Sequence, residues 1–112
     1  MENMKLVPTE HNFDYHGFEF MVYKLVESKN GDTAKTTYTF NTYNEAKKKF
    51  NQCASAEKQA LETRMVYKGF NTENLCAVTA EKSEQICESF GIYDYETESM
   101  VVQILLLENP TK

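Results

Sequence analysis

Residues 20–40 read FMVYKLVESKNGDTAKTTYTF, and this stretch decides the fold. Two runs rich in β-branched and aromatic residues flank Asn30-Gly31, the strongest short signal for a two-residue hairpin turn. With Asn30 and Gly31 as the loop, Met21 faces Phe40, Tyr23 faces Tyr38 and Leu25 faces Thr36. That register gathers apolar and aromatic side chains on one face. Val22 with Thr39, Lys24 with Thr37 and Val26 with Lys35 leave the other face mixed. A one-residue slip would exchange the faces, so the pattern selects this pairing.

Upstream, His16-Gly17 predicts an earlier turn that sets Phe13 against Phe20 and Tyr15 against Phe18. Residues 1–9, ending near Pro8, are expected to be a flexible arm, and 10–112 a single domain. Downstream, Thr42-Tyr43-Asn44-Glu45 has the form of a capping box that opens a helix. Tyr43, Ala46, Phe50, Cys53, Ala54 and Leu61 recur at helical spacing, with Lys47, Lys48, Lys49 and Lys58 mostly on the polar side. Thr63 to Phe70 and Leu75 to Val78 predict a hairpin around the polar loop Asn71–Asn74. A second helix is expected next, capped by Thr79, striped by Ile86, Cys87 and Phe90, and ended by Gly91. The almost wholly apolar run Met100 to Leu107 suits a buried strand, and Asn109-Pro110 ends it. The expected fold is therefore α+β: a mainly antiparallel sheet of about five to six strands with two helices, in the order βββαββαβ. If both helices lie on one face, the other aromatic face is left for a partner subunit, giving a homodimer, or for a target.

The chain has 112 residues, 41% hydrophobic and 26% charged, as in an ordinary soluble globular protein. It contains no stretch of about 18 apolar residues, so no membrane helix is expected. The first residues carry no apolar core of a signal peptide. Cys53, Cys76 and Cys87 are an odd, widely spaced set that suits reduced thiols in a cytoplasm better than a disulfide framework.

Catalytic and cofactor motifs are absent. His11 and His16 lie five residues apart. On a strand that is about 16 Å and opposite faces, so they cannot share a metal. The four glycines form neither a dinucleotide loop nor a P-loop. No G-x-S-x-G elbow is present, and Asp94, Glu96 and Glu98 lack the glycine of a calcium loop. No metal, no cofactor and no catalytic residue is expected.

The charge is more informative. Residues 81–98 hold Glu81, Glu84, Glu88, Asp94, Glu96 and Glu98 against Lys82 alone. The other eleven acids balance the other eleven bases, so the whole net charge of −5 resides in this stretch. An acidic chain is not expected to bind nucleic acid directly. An acidic ridge flanked by Tyr93 and Tyr95 can instead dock on a basic surface and compete there with phosphates. The expected function is thus a non-catalytic protein-binding module with a protein target. Its sharpest form is a small stoichiometric inhibitor of a nucleic-acid-binding enzyme, of the phage or mobile-element kind, with the size and composition of many anti-CRISPR proteins. The alternative is a small-ligand-binding protein or small enzyme with a pocket between sheet and helix.

Overall fold

The computed structural model describes residues 13–79 and 84–111, together with the backbone of residues 2–3. The elements, in order, are β1 (Glu2–Asn3), β2 (Phe20–Glu27), β3 (Thr33–Phe40), α1 (Tyr43–Thr63), β4 (Val66–Tyr67), β5 (Phe70–Asn71), a 3₁₀ turn (Thr72–Asn74), β6 (Leu75–Thr79), β7 (Ile86–Asp94) and β8 (Ser99–Glu108). The fold is α+β. Five antiparallel strands run β6-β7-β8-β2-β3, β1 adds a short parallel pair to β6, and β4-β5 form a separate small sheet. Of the expected arm, only Glu2–Asn3 is described, and there it pairs with Val78–Thr79. His11, Glu81 and Lys82 lie outside the described residues.

The apolar run that ends the chain organises the sheet. β8 lies between β7 and β2, and Val101 to Leu107 are all buried. Val102, Ile104 and Leu106 face α1, packing with Val22, Phe90, Ile92, Ala46, Phe50 and Cys53. Leu105 and Leu107 join Met21, Tyr23, Ile86 and Tyr15 on the opposite face. A strand buried on both faces reads as a continuous apolar run instead of an alternating one.

The first hairpin forms, but one residue out of the expected register. Phe20 pairs with Phe40, Val22 with Tyr38 and Tyr23 with Thr37. The turn is the cause. Gly31 takes φ +95°, while Asn30 is not among the positive-φ residues that a two-residue type I′ turn would need. Gly31 N–H donates to Ser28 O at 3.0 Å and Ser28 N–H to Asp32 O at 2.9 Å, which closes a three-residue loop with a glycine bulge. The apolar pattern did not forbid this, because β2 sits between β3 and β8 and both its faces are covered.

The His16-Gly17 turn is present: both residues have positive φ, and Phe18 N–H donates to Tyr15 O at 2.9 Å. It does not extend into the expected strand pair. Phe20 already pairs with Phe40 and Glu108, leaving no edge for Phe13. Phe13 instead meets the Tyr23 ring edge-on at 5.2 Å, and it helps cover the face away from α1.

α1 begins where its cap predicts. Glu45 N–H donates to Thr42 Oγ1 at 3.2 Å, and the helix continues through Ala54-Ser55-Ala56 to Thr63. Thr42→Ala should lower stability by about 1 kcal/mol in a urea titration. No change would mean that the tertiary contacts of α1 alone hold its first turn.

Two further expectations are corrected. The hairpin after α1 is tighter than predicted: β4 and β5 join through Lys68-Gly69, and β6 pairs with β7. The expected second helix is strand β7. A stripe of Ile86, Cys87 and Phe90 is too narrow to hold a helix in place. The buried backbone of β8 requires hydrogen-bonding strands on both sides, and β7 supplies one. Gly91 is therefore mid-strand and not a helix end. Cys87 is the extra residue where the register shifts between Ile86 and Glu88.

Candidate functional site

The end of β7 and the β7–β8 connection carry five of the eight expected site residues, Tyr93, Asp94, Tyr95, Glu96 and Glu98. Asp94 is 1% exposed and turned inward. Its carboxylate accepts Glu96 N–H at 2.9 Å and the Thr97 hydroxyl at 2.8 Å, so it shapes the turn instead of facing a partner. Tyr95, Glu96, Thr97 and Glu98 form the turn, and Glu98 takes φ 56°. Tyr95 meets the Tyr93 ring edge-on at 5.3 Å.

This turn is tied to its neighbours. Tyr95 N–H donates to Asn74 O at 2.9 Å, and Asn74 Nδ2 donates to Glu96 at 2.9 Å. Two residues earlier, Thr72 binds Met65 O through its N–H at 3.1 Å and through its hydroxyl at 3.2 Å. Met65 is 87% exposed, Val66 59% and Tyr95 48%. Among the described residues, three of the four exposed large hydrophobics therefore lie at one end of the sheet, with the exposed Glu73, Glu96 and Glu98.

The other expected residues are not part of this end. Glu88 faces α1, where it pairs with Lys47 and accepts the Tyr43 hydroxyl at 3.0 Å. Its charge is thus offset locally. It stands six residues from Asp94, about 20 Å along a strand. Glu84 is exposed just ahead of β7, at the far end of that strand. Among the described residues the acidic stretch therefore forms no single ridge. It divides into an exposed tip (Tyr95, Glu96, Glu98), a neutralised residue (Glu88), a structural one (Asp94) and a distant one (Glu84).

A polar cluster was missed. Glu57 is buried between α1 and the sheet, with Lys24 Nζ at 3.1 Å, Lys68 Nζ at 3.7 Å and the Tyr67 hydroxyl donating to it. Burial pushes its carboxyl up, but Tyr67, Lys24 and Lys68 together outweigh this and hold it below the usual glutamate range. Burial, and then the Glu57 carboxylate, hold the Tyr67 hydroxyl far above the usual phenol range. A signal was available in the sequence. Glu57 stands four residues after Cys53 and four before Leu61, on the apolar stripe of α1, where a carboxylate must find partners.

Among the described residues no group of three or more His, Cys, Asp or Glu could hold a metal ion. No described helix is long and apolar enough to cross a membrane. Comparison with protein-family models, with curated proteins and with solved structures finds no match for this chain.

Proposed function

We propose that this chain is a non-catalytic protein-binding module that docks its β7–β8 end on a basic surface of a target protein. The observation that carries this reading is the gathering of Met65, Val66 and Tyr95 beside Glu73, Glu96 and Glu98. Apolar and aromatic anchors inside a polar rim are the usual anatomy of a binding hot spot. The carboxylates add steering toward cationic surfaces and are suited to displace phosphates there. The sharpest form of the proposal is a stoichiometric inhibitor of a nucleic-acid-binding enzyme, of the phage or mobile-element kind.

The test begins with capture from a cell lysate and identification of the bound protein. Affinity is then measured across a salt series. Tyr95→Ala should weaken binding at least tenfold, about 1.4 kcal/mol. The double variant Glu96→Gln, Glu98→Gln should weaken it and flatten its salt dependence, while Glu84→Gln should change neither. Nucleic acid should compete for the captured protein. Unchanged affinity in the Tyr95 and double variants would refute the proposal.

A further inference from the structure

A second surface presents two lysines. A cavity of ≈ 490 Å³ opens between the β2–β3 turn and the Lys68-Gly69 turn, lined by Ser28, Lys29, Asn30, Lys68 and Gly69. Among the described residues no carboxylate lines it, while Glu27 and Asp32 flank its β2–β3 wall. We propose that this cleft binds a small phosphate-bearing anion, a ligand different from the protein target, beside the docking end: Lys68 follows Val66 by two residues, and β2 ends next to the start of β8.

The walls are held in place before any ligand arrives. Lys29 N–H donates to Lys68 O at 3.2 Å, joining the two turns. A Cβ on Gly69 would stand 2.9 Å from Lys29 Cβ, and Gly69 also takes φ +87°, so only glycine allows this approach. Each ammonium lies over an aromatic ring, Lys29 Nζ 5.8 Å from the centre of Phe70 and Lys68 Nζ 4.9 Å from that of Tyr67. Glu57, the acid in contact with Lys68, is closer to Lys24 at 3.1 Å than to Lys68 at 3.7 Å. Lys24 thus takes the larger share of Glu57, and Lys68, the weaker contact, shares its charge between Glu57 and the cleft beside Lys29. Asn30 Oδ1 already accepts the Ser28 hydroxyl and Asp32 N–H, which leaves the Asn30 NH₂ group as a neutral donor. Two ammoniums acting as point charges, with one amide donor, match the oxygens of a phosphate or diphosphate. The volume falls within the range of roughly 300–1,000 Å³ common for small-molecule sites.

The experiment titrates isotope-labelled protein with inorganic pyrophosphate at constant ionic strength and follows the amide resonances. Saturable shifts should be confined to residues 28–31 and 68–69, and Lys29→Ala should weaken binding at least tenfold. Lys58→Ala removes the same charge from an exposed position on α1 and should leave binding unchanged. Thermal melting checks that both variants fold. A second arm titrates a short single-stranded oligonucleotide. The proposal is overturned if pyrophosphate gives no saturable shift. It is equally overturned if Lys58→Ala weakens binding as much as Lys29→Ala, or if only the oligonucleotide binds.

Discussion

Gly91→Val should lower the unfolding free energy by about 3 kcal/mol, the upper part of the range for overpacked cores. Gly91 lies mid-strand in β7, opposite Val78 on one side and Gln103 on the other. A Cβ there would stand 2.6 Å from Met100 Cε, 3.1 Å from Val102 O and 3.2 Å from Val78 Cγ2. The methionine end can swing away. The carbonyl oxygen cannot, because it belongs to the central strand, and Val78 is fully buried. Valine adds two further methyl groups at the same point. Urea titration of the variant measures the loss. Met100→Ala in the Gly91→Ala background should restore part of it, since it removes the nearest atom. A loss under about 0.5 kcal/mol, the scale of neutral surface changes, would show that β7 shifts freely against β8.

Glu57→Ala should cost about 3 kcal/mol. Removing one partner of a buried pair leaves the others in an apolar setting, which commonly costs 3–5 kcal/mol. The lower end applies because the Lys24 and Lys68 side chains keep 23% and 28% exposure and can turn toward water. The Tyr67 residue is 1% exposed, and its hydroxyl would lose its acceptor. Glu57→Gln isolates the charge. The folded-state pKa of Glu57 lies below its unfolded value of about 4.3. A depressed carboxylate contributes stability that is complete above the unfolded pKa and is lost as pH falls through the folded one. The stability gap between wild type and Glu57→Gln should therefore be constant from neutral pH to about 5 and close at lower pH. Denaturant titrations at stepped pH measure it, and a gap that persists undiminished at pH 3 would contradict the assignment.

Local signals in the chain were legible where the backbone needs only its neighbours. Thr42 and Glu45 cap α1 as their spacing predicts, and His16-Gly17 turns the chain. Met100 to Leu107 lies in a buried strand because a run with seven apolar residues in eight cannot sit at a surface. Long-range pairing was less legible. The sequence places Asn30-Gly31 at a turn but does not say whether two or three residues close it, and one residue changes every partner. Residues 86–94 carry a weak helical stripe of Ile86, Cys87 and Phe90, and only the demand of β8 for a neighbour selects the strand.

The candidate site divides in the same way. Composition alone concentrates the net charge in residues 81–98 and excludes the familiar catalytic and cofactor motifs. Which of those carboxylates face outward is a tertiary matter. Asp94 is consumed by its own turn, and Glu88 is offset by Lys47 from a helix 41 residues away in sequence. Met65 and Val66 are linked to Tyr95 through the 72–74 turn, where Thr72 hydrogen-bonds to Met65 and Asn74 to Tyr95 and Glu96. Charge and apolar content are sums over residues, so the sequence determines them outright. Neighbourhood depends on how strands pair, and that is decided only when the whole sheet satisfies its buried backbone.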